Sequence, residues 1–522
     1  MRSTAPIFLL AVFATLAAAD DPDRLAQLAA AHPDAVELRE IGRTFGGRPI
    51  RLAVIGRAGE FAPDDRPALL VVAGLEGSAF STRLALATIE HLAGARGEVA
   101  DLLTRRTVYV VPDASPDASA RRTRGNARPV DEDRDGRADE DPPADLDGDG
   151  QVVWIRVPDA KGEWRASDED PRLLVKADRK KGERGTYALH PEGLDADDDG
   201  AVAEDGTAGV DVDRNFPHRH DEASDEAGLF AASEPETRAL ADFVIGHPNV
   251  AASLVFGLDD DLLKAPAAEA TPGGATTKID PDDLPFFERA GELYREIAGV
   301  QGAPRETPGG TFFEWAYHHR GLLSLAARGW YPLQPPEGAK EEKPPSDDLR
   351  RLRLAEALGR GFVEWHPFDH PTFGKVEIGG FVDGFELEPA EEAAARIATS
   401  HAPYAARVLG LLPDVHLADV QVRQLADGLH EVKASLVGDG RLPLSLAQGR
   451  RSRRPGPVVL KLEGDYELAG GRPDGYAQSV VWDLGGSGGR IDYVWLVRNA
   501  RRLAVSLDSR RGFRGRKELE LP

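Results

Sequence analysis

Five short apolar runs rich in β-branched residues most limit what this chain can fold into: Ile50 to Ile55, Ala68 to Ala73, Thr107 to Val111, Val250 to Leu258 and Leu322 to Ala327. Continuous apolar runs of this length suit strands covered on both faces. Helical patterns lie between several of them, over Thr82 to Leu103 and Leu284 to Ala298. The expected fold class is α/β, a mixed sheet with helices on both faces. Ligands bind such sheets outside the carboxyl ends of the strands. A further helix is expected to start at Ser233 as N-cap, with Pro235 in the first turn and Glu236 at its third position.

At 522 residues the chain exceeds one ordinary core. Beyond about His416 the texture changes to short alternating strands at Val420 to Leu425, Val432 to Leu436, Val458 to Leu462, Tyr493 to Val497 and Leu503 to Leu507. Gly and Asp turns separate them, the pattern of an all-β sandwich. The expected organisation is a signal peptide over 1–19, an α/β domain over 20–388, a helical connector over 389–415 and a sandwich over 416–522.

Met1-Arg2, the apolar run Ile7 to Leu16 and Ala17-Ala18-Ala19 ahead of Asp20 read as a secretory signal cleaved after Ala19. The run is too short to span a membrane. A secreted or periplasmic location follows. There are no cysteines, so stability must come from the core or from bound ions.

The formal net charge of -24 argues against nucleic-acid and anionic-membrane partners. Most of it sits in two stretches, 131–150 and 195–205, which carry three D-x-D-x-D-G runs. The first holds Asp131, Asp133 and Asp135, the second Asp145, Asp147 and Asp149, and the third Asp195, Asp197 and Asp199. Carboxylates at positions 1, 3 and 5 with Gly at 6 are what Ca2+ requires. None of the three has the Glu at position 12 that closes an EF-hand loop. Closure is expected from Asp139, Glu140 or Asp141 for the first and from Glu204 or Asp205 for the third. The competing reading is a solvated acidic loop.

Four motifs occur in order: Val71-Val72-Ala73-Gly74-Leu75-Glu76-Gly77-Ser78-Ala79, then Gly209-Val210-Asp211-Val212-Asp213-Arg214-Asn215-Phe216-Pro217, then Leu254-Val255-Phe256-Gly257, and Gly309-Gly310-Thr311-Phe312-Phe313-Glu314-Trp315-Ala316-Tyr317. Together they resemble the zinc metallocarboxypeptidases related to carboxypeptidase A, from about residue 25 to residue 380. The resemblance implies that Arg214 clamps a substrate's C-terminal carboxylate and that Arg124 stabilises an oxyanion. It places the first zinc-binding His on Glu76, the Glu ligand on Ala79, the second His on or near Phe256 and the general-base Glu on Arg328.

Catalytic zinc needs three protein ligands and an open water position. Ala and Phe donate nothing to a metal, and Arg is always protonated. No histidine in the chain is followed three residues later by Glu, so an H-x-x-E ligand pair is absent. Asp213 stands where the family carries Asn, and Arg214 could pair with Asp213 or Asp211 instead of a ligand.

The expected function is therefore an exported, calcium-loaded carboxypeptidase-like protein without catalytic zinc, with a cleft for peptide or cell-wall peptide around Arg214. Glu76 and Arg328 are expected to form an ion pair in the former metal site. One alternative is an active metallocarboxypeptidase whose zinc is held by Glu76 with His218 or His220. Another is an interaction protein that works through its β-sandwich.

Overall fold

A computed structural model describes residues 24–130, 138, 141–195, 202–203, 209–270, 275–299, 308–332, 345–471, 477–485 and 488–521. The signal segment lies outside the described residues, as do Asp131, Asp133, Asp135, Asp139, Asp197, Asp199 and Asp205 of the acidic runs.

After α1 (Arg24–Ala31) come β1 (Val36–Arg43), β2 (Pro49–Ile55), β3 (Ala68–Ala73), α2 (Ala79–Ala93), α3 (Glu98–Leu102), β4 (Thr107–Val111) and α4 (Pro116–Arg121). The chain then leaves for β5 (Trp154–Pro158), β6 (Trp164–Ala166), β7 (Leu174–Lys176) and β8 (Tyr187–Pro191). It returns through α5 (Pro235–Gly246), β9 (Val250–Phe256), α6 (Leu284–Ala298), α7 (Phe312–Arg320) and β10 (Leu323–Ala327). Next are α8 (Asp347–Leu358), β11 (Phe362–His370), β12 (Gly374–Phe381), α9 (Glu391–His401) and α10 (Tyr404–Leu411). The C-terminal part holds β13 (Val415–Ala426), β14 (Leu429–Gly438), α11 (Ala447–Ser452), β15 (Val458–Gly470), β16 (Gln478–Val481), β17 (Gly489–Asp508) and β18 (Gly515–Leu519).

The first sheet runs β1-β2-β4-β3-β9-β10, with β4, β3, β9 and β10 parallel and β1 and β2 antiparallel. It is the mixed sheet expected. Side chains alternate: Leu69, Val71 and Ala73 enter one apolar cluster with α2, α6 and α10, while Leu70 and Val72 enter another with α5 and α7. Both faces are therefore covered, which explains why β3 is buried at every position.

The expected helix over Thr82 to Leu103 is two helices, because the chain turns at Gly94 to Gly97, and Gly97 has φ of 58°. The expected capping box at Ser233 is also corrected. The N-cap is Glu234, Pro235 is the first helical residue, and the Glu236 carboxylate accepts from the Phe45 and Asn126 side of the fold.

A second sheet, ordered β11-β12-β5-β8-β6-β7, joins the excursion after α4 to the hairpin after α8. The segment 389–415 is not a free connector. Ala394, Ala398, Tyr404 and Leu409 are buried in the same cluster as α2 and β3, and Arg83 pairs with Glu391 at 2.7 Å.

The C-terminal part is all antiparallel, in the order β13-β14-β17-β15-β16 with β18 on β17. The first half of the 20-residue β17 pairs with β14, and its second half with β15 and β18. The sheet thus closes on one core that includes Tyr493, Trp495 and Leu460. It docks through α11: the Asp283 carboxylate accepts from the first-turn amides of Ala447 and Gln448 at 2.7 and 3.0 Å, and Arg451 pairs with Asp280. Gln448 also donates to the carbonyl of His318 at 2.7 Å, bracing the end of α7.

Candidate functional site

Ala73, Phe256 and Ala327 are in register at the carboxyl ends of β3, β9 and β10. The residues just beyond them face one region, as parallel-sheet geometry dictates. Glu76 is held there by two glycines. Gly74 and Gly77 have φ of 68° and 70°, and a Cβ on Gly77 would lie 2.3 Å from the carbonyl oxygen of Thr123. After this turn Ser78 caps α2 by accepting from the Ser81 amide.

Glu76 is 5% exposed, and neither carboxylate oxygen has a hydrogen-bond partner. Burial pushes its carboxyl up to about 8, with Asp211 adding to the rise and Arg124 opposing it. Asp211 accepts from Arg124 at 2.5 Å and from the Asp213 amide at 3.0 Å. Asp213 accepts from the amide of Phe312 at 2.8 Å, which places a carboxyl at the N-terminus of α7. Burial first, then Asp259, Asp211 and Glu76, holds Asp213 well above the ordinary carboxylate range. The substitution of Asp for the family's Asn is thus used to anchor α7.

Three further acids were not singled out by sequence reasoning. Asp259, Asp260 and Asp261 follow β9 after Gly257 and Leu258 and are each buried. Asp260 accepts from the amides of Leu262 and Leu263 and from Tyr331, and Asp261 accepts from the Ala326 amide at 2.8 Å. The signal was present: three acids shortly after an apolar strand fall where sheet ends gather ligands. Beyond them lies a cavity of about 410 Å³ bordered by Asp261, Glu314, Arg219, Lys264, His318 and Phe313. Glu314 accepts from Arg219 at 2.8 Å, and burial raises its carboxyl to about 7.

The other expected site residues are placed as follows. Ala79 is the first residue of α2. The Phe256 ring is fully buried in the cluster packed under α2, so that position contributes to the core and no donor to the site. Arg328 follows β10, and its backbone hydrogen-bonds Asp260. The expected Glu76–Arg328 ion pair is not formed, since the Glu76 oxygens are without partners and Arg124 is the cation that acts on them. Arg214 is about one-fifth exposed and pairs with Glu226, not with Asp211 or Asp213. Asn215 is structural: its amide donates to Ala227, Phe230 and Ser233, and its oxygen accepts from the Glu234 amide.

These residues do not fit a catalytic zinc. Glu76 is one carboxylate donor where three ligands are needed, and its neighbours at the aligned positions are an Ala and a core Phe. His220 bonds the Ala227 carbonyl at 2.9 Å, and His218 bonds the Thr276 carbonyl at 2.8 Å. Among the described residues, the one group of three or more ligand atoms within 4.8 Å of one another is Asp145, Asp147 and Asp149, so Glu76 with His218 or His220 does not form a three-ligand centre.

The Asp145–Gly150 loop is folded by its own carboxylates. Asp145 accepts from the amides of Gly148 and Gly150 at 2.7 and 2.9 Å, Asp147 from that of Asp149 at 3.0 Å, and Asp149 from that of Gln151 at 2.7 Å. Glu192 is fully buried beneath it and accepts from the amides of Leu146 and Val153. His366 lies 2.8 Å from Asp147. Asp195 is the described member of the third acidic run.

Comparisons with known proteins address the α/β part most directly. Residues 414–520 match a family described as a domain of unknown function. No curated protein matches the chain. Among solved structures, carboxypeptidase A from Helicoverpa armigera is 15% identical, with 74% of this chain and 71% of that one covered and a TM-score of 0.40. Metallo-carboxypeptidase from Burkholderia cenocepacia is 16% identical, with 74% and 68% covered and a TM-score of 0.33. At these TM-scores the likenesses carry no weight for the reading of the site. Residues 23–266 match the model described as zinc carboxypeptidase, a span that holds Glu76, Ala79, Arg124, Arg214 and Phe256 and stops before α7 and β10. By that match, residues 23–266 of this chain are similar to the zinc carboxypeptidase family.

Proposed function

We propose that this chain is an exported member of the zinc carboxypeptidase family whose cleft binds peptide C-termini, including those of cell-wall peptides, without zinc-dependent hydrolysis. The observation that carries the reading is the set of residues at the positions aligned with the family's zinc ligands and base: the buried carboxylate Glu76, Ala79, the core residue Phe256 and Arg328. A water cannot be activated there by a metal with too few ligands or by an arginine.

Arg214 supports the binding half. Its partner Glu226 is two-thirds exposed, so a peptide carboxylate can displace that side chain at little cost. Arg124, held by Asp211, adds positive charge to the same wall. The test is fluorescence polarisation with labelled peptides bearing either a free or an amidated C-terminus. Free C-termini should bind more tightly than amidated ones. Arg214→Ala should remove that difference and Glu226→Gln should tighten binding; equal binding of both peptide forms to the wild type would refute the assignment.

The acidic loops supply calcium sites in this reading, with Asp145, Asp147 and Asp149 as the described example. Millimolar Ca2+ should raise the melting temperature and EGTA should reverse the rise. Replacing both Asp145 and Asp149 by Asn should reduce the response, whereas an identical shift in that variant would assign the loop to solvent. Binding through the C-terminal sheet is the second reading, favoured by Trp482 and Val480 at its rim, which are 39% and 52% exposed.

A further inference from the structure

Three histidines meet at the end of α7, away from the positions aligned with the family's zinc ligands. His218 is buried and follows the Arg214 motif, while His319 is exposed on the last turn of α7. The Nδ1 atom of His218 stands 3.3 Å from Nε2 of His319. The His318 ring stacks on that of His218, with centroids 4.0 Å apart and planes within 10°.

The orientation of His218 is fixed from the far side. Its Nε2 lies 2.8 Å from the carbonyl oxygen of Thr276, an acceptor only, so Nε2 carries the proton and Nδ1 presents its lone pair to His319. A ring nitrogen tied to a backbone carbonyl, with the other nitrogen left basic, is how proteins prepare a metal-binding histidine. Two imidazole nitrogens that share a tetrahedral Zn2+ at about 2.0 to 2.1 Å each stand about 3.3 to 3.4 Å apart. The observed 3.3 Å matches that spacing, so a metal can take the place of the hydrogen bond that joins the two rings without moving them apart.

We propose that His218 and His319 form a two-histidine site for a borderline divalent transition metal such as Zn2+, with water completing the coordination. Bound there, the metal joins the 217–220 loop to the C-terminal end of α7, and through His218 to the Thr276 segment. The His318 ring, stacked on His218, borders the 410 Å³ cavity, so the metal would stiffen one wall of that cavity. The nearby charge of Arg219 is offset by its pairing with Glu314 at 2.8 Å. Imidazole pairs favour zinc, copper and nickel over calcium or magnesium, so this site and the acidic loops select different ions.

The test is isothermal titration of chelator-stripped full-length protein with Zn2+ in saturating Ca2+, which occupies the carboxylate loops. One zinc per chain should bind to the wild type. His319→Gln, an exposed change that should leave the metal-free melting temperature unaltered, should weaken this binding at least about tenfold. Cu2+ loaded in place of Zn2+ should show nitrogen hyperfine splitting in its electron paramagnetic resonance spectrum, lost in the same variant. Absence of zinc binding in the wild type, unchanged affinity in His319→Gln, or an oxygen-only copper spectrum would each overturn the proposal.

Discussion

Replacing Glu76 by Gln is expected to raise stability at pH 8 by an amount on the order of 3 to 5 kcal/mol and to flatten the pH dependence of unfolding. In the folded chain burial lifts the Glu76 carboxyl from 4.5 to about 8. Below pH 4.5 both folded and unfolded chains hold the proton, and the group has no effect. Between 4.5 and 8 the unfolded chain releases it while the folded chain retains it, so stability falls as pH rises through this window. Above about 8 the loss is complete. Gln is neutral throughout and carries no such loss.

Asp113 and Glu314, each raised to about 7 by burial, titrate with the same sign and leave a residual slope in the variant. Chemical denaturation of both proteins from pH 5 to pH 8.5 measures the difference. A wild type that gains stability over this range, or a variant less stable than the wild type at pH 8, contradicts the description of Glu76 as a buried, unpartnered acid.

The second large effect concerns the turn that holds Arg214. Gly310 has φ of 83°, and a Cβ there would lie 1.9 Å from the carbonyl oxygen of Arg214. The same glycine donates to the His218 carbonyl and accepts from the Phe216 amide, both at 2.8 Å. Gly310→Ala combines left-handed backbone strain with a backbone clash and is expected to cost about 3 kcal/mol or more. It should also displace the Arg214 loop, so recognition of free C-termini should fall even in protein that remains folded. A melting temperature within a degree of the wild type would mean that the loop packs differently from the description given.

How much of this was legible in the sequence varied with the kind of signal. The covered strands β3 and β4 and helix α6 were bounded correctly by apolar runs and helical periodicity, because burial on both faces leaves no polar interruptions. The second sheet was missed for the opposite reason. Strands β6 and β7 are three residues each and nowhere buried, and β11 contains Glu364, His366, Pro367 and Asp369 in a half-exposed pattern. Strand β17 spans the two strands expected at Tyr493 to Val497 and Leu503 to Leu507, which the polar stretch Arg498 to Arg502 separates in the sequence. Asn499 has φ of 54°, but the strand continues through an irregularity in its pairing with β15.

The convergence of Glu76, Phe256 and Arg328 at strand ends followed from the motifs, whereas their contacts did not. A residue type shows that Phe256 cannot bind a metal; that its ring fills the core is a fact of packing. The same holds for Asp213, which the sequence offered as a partner for Arg214 and whose carboxyl instead meets the α7 N-terminus. Partners such as Glu226 for Arg214 lie twelve residues away in a loop without periodicity, and no spacing rule points to them.

The central claim is that the cleft retains the architecture of a zinc carboxypeptidase without its hydrolysis. The most direct measurement is release of C-terminal residues from unmodified peptides by zinc-supplemented full-length protein, with Glu76→Gln measured in parallel. The account predicts no release by the wild type above that of the variant. Residue-by-residue release by the wild type that disappears in Glu76→Gln would contradict it, because Glu76 would then serve the chemistry that the present assignment denies.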